Sequence, residues 1–241
     1  MSAPASAARA GGWSLIAAAV GFIGVFAWLA AAFGYPDVLE GPAAEVLPRL
    51  LSLGATGRAV WALYALLPLL LLPAAVGAQA VLAARAPSVM RGAVLLALLA
   101  AVTMLLGLAR WPSIHWTLAA AYTGTSDAAV REAIAAAFDG LNMYLGRFLG
   151  EFVGELGLHL FFLLTALAMG RHAGFPRWAG PAGVGAAVIG LVAMWRNVTP
   201  LVALAAQLEN WLLPAWMVVQ GALLLRAGGA MGRVGGRVVS P

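Results

Sequence analysis

The sequence predicts an all-α membrane protein with six transmembrane helices, both termini in the cytoplasm, and short amphipathic helices in its two larger outer loops. Three observations carry this reading. Of 241 residues, 63% are hydrophobic and 10% are charged, whereas soluble domains average roughly a quarter charged. The apolar residues fall in long uninterrupted runs, each close to the ~20 residues a helix needs to cross the hydrocarbon core. The arginines are shared unequally between alternate ends of those runs, as topology in a membrane requires. A water-soluble globule is excluded, and the whole chain, 1–241, is expected to form one polytopic membrane domain.

In chain order, the first run, 13–33, carries no charge. It exceeds the about 7 to 15 residues of a signal-peptide core, so it is expected to remain as a span. The second, 59–84, contains Gln79, Pro68 and Pro73, and the third, 92–109, is uncharged. The fourth, 148–169, holds Glu151, Glu155 and His159, and the fifth, 178–195, is clean. The sixth is too short if it starts at Trp211; beginning at Pro200, a favoured first helical residue, it extends over 200–225 and takes Gln207, Glu209 and Asn210 into the membrane. Between spans one and two a short amphipathic helix is expected around 43–53. Between spans three and four the chain is expected to restart at Pro112. It then forms a surface-lying amphipathic stretch over 128–138, capped by Ser126-Asp127.

Orientation follows from arginine, the only basic residue type among the 14 Lys and Arg positions. With the N-terminus inside, Arg9, Arg85, Arg91, Arg171, Arg177, Arg226, Arg233 and Arg237 face the cytoplasm with no acid among them, which obeys the positive-inside rule. The opposite side carries six arginines against six acids, and the three intramembrane carboxylates account for the remainder of the net charge of +5. The arginines flank spans instead of forming one stripe, so they are read as topology signals and contacts to membrane lipid, with no nucleic-acid partner. Arginine without lysine and abundant Ala and Gly point to a bacterial origin. The absence of cysteine removes disulfides, thiolate metal sites and cysteine nucleophiles.

Ionisable residues inside a span are functional hypotheses by default. Glu151, Glu155 and His159 recur every four residues and share one helix face, with Arg147 a turn above. Counted from Arg147, Glu155 lies about 12 Å deep and His159 about 18 Å; counted from Pro200, Glu209 lies about 13 Å deep. These three are expected to converge, and like charges so close are expected to keep at least one carboxyl protonated near neutral pH. Arg110, His115 and Arg196 sit at the outer ends of spans three and five and complete the candidate ligand-binding set; the alternative for the acids of span four is internal pairing with Arg110 or Arg147. Gly146, Gly150 and Gly154 form a small-residue stripe explained by close helix packing. No metalloprotease, serine-hydrolase, phosphate-loop or dinucleotide motif is present, so no catalytic residue is assigned. Carboxylates with His115 and His159 suit Zn, Mn or non-haem Fe, and two histidines suit axial haem ligation; no cofactor is singled out.

In combination, Arg110-Trp111-Pro112, the run GRFLGEFVGELGLHLFF over 146–162, and Phe175-Pro176-Arg177-Trp178 with Gly180 resemble an uncharacterised bacterial family of six-helix membrane proteins, the DUF4386-type group. The resemblance covers most of the chain. It implies a six-helix fold and an inner-membrane location, and it brings no activity and no catalytic residue.

The leading functional reading is a module with an outward-facing intramembrane polar site that binds or transports a small ligand or a proton. The alternatives are an accessory subunit of a larger membrane complex or homo-oligomer, its acids paired and inert, and a membrane-embedded metal or haem protein.

Overall fold

The computed structural model describes residues 3–236, so Arg237, counted among the cytoplasmic arginines, lies outside the described residues. Among them there are only helices and connecting turns, and six helices are long and apolar enough to cross a membrane. We label the helices α1 (Ala3–Phe33), α2 (Ala43–Ser52), α3 (Gly54–Leu82), α4 (Pro87–Gly124), α5 (Ala128–Gly170), α6 (Ala179–Asn197) and α7 (Pro200–Arg233). α2 is short and amphipathic; the other six are the membrane-capable ones.

These six pack as a closed ring in chain order, each against the helices before and after it and α7 back against α1. Without a hydrophobic drive between helices in lipid, close approach depends on small residues. The ring is closed by them. Gly11 meets Gly77 between α1 and α3, Gly12 meets Gly221 between α1 and α7, and Gly170 meets Gly180 between α5 and α6. The Gly146, Gly150, Gly154 stripe, extended by Gly157, runs down α5 and faces Arg110, Gly107, Thr103 and Ala100 of α4. The interior of the ring is correspondingly rich in alanine, including Ala18, Ala74, Ala97 and Ala100. Outward faces are apolar and exposed: Leu201, Leu204, Leu208 and Trp211 on the first turns of α7 are surfaces for lipid.

At one end of the ring the packing changes from small to aromatic. Phe33, Trp61, Trp111 and Phe138 cluster with Val46, Leu47 and Leu50 of α2. α2 buries Ala43, Val46, Leu47 and Leu50, an i, i+3, i+4, i+7 face. Gly54, at a φ of +62° that favours glycine, turns the chain from α2 into α3.

The stretch between spans three and four differs from expectation. The chain does not break at Pro112, and residues 128–138 open a helix that runs on without a break to Gly170. α4 has 38 residues and α5 has 43, about 57 and 65 Å of helix against a hydrocarbon core of about 30 Å. The excess forms a helical hairpin projecting beyond the bundle and braced by α2. Asp127 does cap α5, accepting hydrogen bonds from the backbone N–H groups of Ala129 (2.9 Å) and Val130 (3.4 Å). The helix passes Pro112 because Trp111–His115 is wound as a π-helix; the wider turn pairs the His115 N–H with the Arg110 carbonyl five residues back, at 2.8 Å. α7 begins at Pro200 as expected, with Thr199 as its cap accepting from the Leu201 N–H at 3.3 Å.

Candidate functional site

α5, α6 and α7 meet at one polar cluster. Asn142–Val153 of α5 is π-wound and places Glu151 at the rim; α-helix resumes at Gly154 and carries Glu155 and His159 inward. Arg196 comes from the last turn of α6, and Glu209 from the third turn of α7. The Arg196 guanidinium grips Glu155 with both ends: Nη2 on Oε1, and Nη1 on Oε2 at 2.7 Å. Nη1 also donates to Glu209 Oε2 at 3.4 Å, and Nη2 lies 3.6 Å from Glu151 Oε2. On the inner side, His159 Nε2 lies 2.6 Å from Glu209 Oε1. A hydrogen bond this short needs a proton, held by either the imidazole or the carboxyl.

Side-chain exposure falls steadily along this line, from 36% at Glu151 and 32% at Arg196 to 11% at Glu155, 8% at Glu209 and 2% at His159. The cluster therefore runs from an accessible rim at Glu151 to a buried inner end at His159. Its floor is a water-sized cavity of about 10 Å³ bordered by His159, Glu209, Phe162 and Trp216. Glycine again makes the room: a Cβ at Gly190 of α6 would overlap the His159 imidazole. Deeper on α7, Gln220 donates to the Thr165 hydroxyl at 3.4 Å, while the Trp216 indole N–H and the Gln220 carbonyl oxygen are buried without partners.

The structure thus brings together Glu151, Glu155, His159, Arg196 and Glu209, and it sets Arg110 and His115 apart. Arg110 is buried against Asn142, donating to its Oδ1 from Nε (3.1 Å) and Nη2 (2.8 Å); Nη1 donates to the Gly107 carbonyl. Gly146 leaves space for this guanidinium, and it is Arg196, not Arg110, that hydrogen-bonds the acids. His115 is fully buried in the aromatic cap, 4.7 Å edge-on to Trp111 and 4.7 Å from Phe138, with both ring nitrogens unpartnered. Phe138 precedes His159 by 21 positions on α5, roughly 30 Å along a helix. One haem iron cannot take both histidines.

Sequence reasoning did not single out Asn142, Trp216, Gln220 or Tyr35. Asn142 and Gln220 carried the signal that found the acids, polar side chains in helices otherwise apolar, but neither is charged. Tyr35 and Tyr64 share a hydrogen bond near Glu151; burial, reinforced by the Glu151 charge, raises the phenol of Tyr35 above its usual range.

Comparison with known proteins returns one result. The family model for a domain of unknown function, DUF4386, matches residues 10–221. No curated protein and no solved structure matches.

Proposed function

The chain belongs to the DUF4386 family, for which no activity is assigned, and from that premise we propose that the polar cluster of α5, α6 and α7 binds, and serves the transport of, a small cationic ligand or a proton. The carrying observation is the make-up of the site: two buried carboxylates and an imidazole, with a third carboxylate at the rim, gather round the Arg196 guanidinium. A helix brace needs one acid for one arginine. Extra buried carboxylates carry a desolvation penalty and persist where something cationic offsets it. The arginine distribution supports an outward-facing mouth and a bacterial inner-membrane setting.

Pairing of Glu155 with Arg196 supports a second reading, an accessory subunit whose acids only hold helices together. Glu155→Gln separates the two. The guanidinium keeps Glu151 and Glu209, so the fold is expected to retain near-parental thermal stability. In proteoliposomes loaded with a pH-sensitive dye, the variant is expected to lose the proton uptake that the parent shows after an acid pulse. Marked loss of stability with unchanged uptake, or a stoichiometric partner on purification, favours the subunit.

A further inference from the structure

We infer that Glu155, His159 and Glu209 form a three-ligand site for one divalent first-row transition-metal ion, closed in this structure by Arg196 as a tethered cation. The inference rests on the polar-site reading above and names the occupant.

Geometry comes first. One carboxylate oxygen each from Glu155 and Glu209 and one imidazole nitrogen of His159 lie within 4.8 Å of one another, and all three residues are buried. A tetrahedral ion with bonds of about 2.0 to 2.2 Å separates its ligand atoms by about 3.3 Å, so closure needs side-chain movements on the order of 1 Å. Imidazole and carboxylate without thiolate match Zn²⁺, Mn²⁺ or Fe²⁺ and not Cu(I). Two of the ligands, Glu155 and His159, are one turn apart on the same helix, and the third is brought by α7.

Charge points the same way. Ionised Glu155 and Glu209 bring two negative charges to the buried part of the cluster, the charge that a divalent ion offsets. Arg196 is the most exposed partner of the buried acids and also touches Glu151 at the rim; it can keep Glu151 while releasing Glu155 to a metal.

An independent observation lies on the inner side. Trp216, 5% exposed, has an indole N–H with no acceptor and borders the water-sized cavity shared with His159 and Glu209. Three-ligand metal sites keep a fourth position for water. A metal-bound water in this cavity completes the coordination and gives the indole an acceptor.

The test uses the full chain, purified in detergent, stripped with chelator and titrated calorimetrically with Zn²⁺ or Mn²⁺ alone. One ion per chain is expected, with affinity at least tenfold weaker in Glu209→Gln and in His159→Gln and at least tenfold tighter in Arg196→Gln. Should Arg196→Gln not fold, Glu151→Gln replaces it: with its rim partner gone, Arg196 holds Glu155 more firmly and metal binds severalfold more weakly. No stoichiometric binding by the parent, or binding indifferent to Glu209→Gln, overturns the metal site; affinity unchanged by the arginine or rim variant overturns the tethered-cation role. If the metal is absent while Glu155→Gln still abolishes proton uptake, the metal inference fails and the polar-site reading stands.

Discussion

His159 on α5 and Glu209 on α7 are joined by a 2.6 Å hydrogen bond across a ring in which α6 stands between their helices. The bond passes α6 where Gly190 withholds a side chain. A methyl group at that position would occupy the space of the imidazole. Gly190→Ala is therefore expected to lower stability by about 1 to 3 kcal/mol, the usual range for overpacking, and to be partly rescued by a second change, His159→Ala. Thermal unfolding of the two single variants and the double variant measures this; additive losses would show that the two positions do not compete for the same space.

Arg110 makes a second prediction. Its buried guanidinium depends on Asn142 Oδ1 for two hydrogen bonds, and Asn142→Leu removes that acceptor while preserving most of the volume. Stranding a buried charge in this way costs about 3 to 5 kcal/mol. Asn142→Asp, which keeps the acceptor oxygen and adds a counter-charge, is expected to be at least as stable as the parent. Equal melting temperatures for the Leu and Asp variants would contradict this account.

At the tip of the hairpin, Asp127→Ala deletes the cap on α5. The expected loss is about 1 kcal/mol, and it is local: hydrogen exchange speeds up at Ala129 and Val130, while amides beyond Phe138 keep their protection. Uniform acceleration along α5 would mean that the hairpin and the bundle unfold together.

Topology is open to direct measurement because the chain contains no cysteine. Single cysteines replacing Pro42 or Ser126 are expected to react with an impermeant reagent in intact cells whose outer membrane has been permeabilised, and those replacing Pro87 or His172 to be protected. The reverse pattern inverts the orientation and places the Glu151 rim of the cluster on the cytoplasmic face.

How far the sequence foretold this architecture differs between elements. The six spans were legible because uninterrupted apolar runs have few other uses, and the start of α7 because Pro200 marks a first helical turn. The meeting of Glu155, His159 and Glu209 was legible from depth, a one-dimensional quantity that rise per residue provides. The identity of their cationic partner was not. Arg110, Arg147 and Arg196 all stand near the same end, and only the order of helices around the ring chooses Arg196. The hairpin was hidden for a local reason: proline ordinarily stops a helix, and nothing in the spacing of Trp111-Pro112-Ser113 announces the π-turn that carries the chain past it. The separation of His115 from the cluster was not legible, because its burial among aromatic rings depends on Phe138, 23 positions further along the chain.

The unbroken course of α5 has a mechanical consequence. The capped tip at Asp127 and the residues Glu155 and His159 are mounted on one rod, and between them lies its π-wound stretch, Asn142–Val153, which itself carries Glu151. A torque applied to the projecting hairpin is delivered to the carboxylates, with the π-wound stretch as the spring in the shaft. The hairpin is a handle on the site from beyond the bundle.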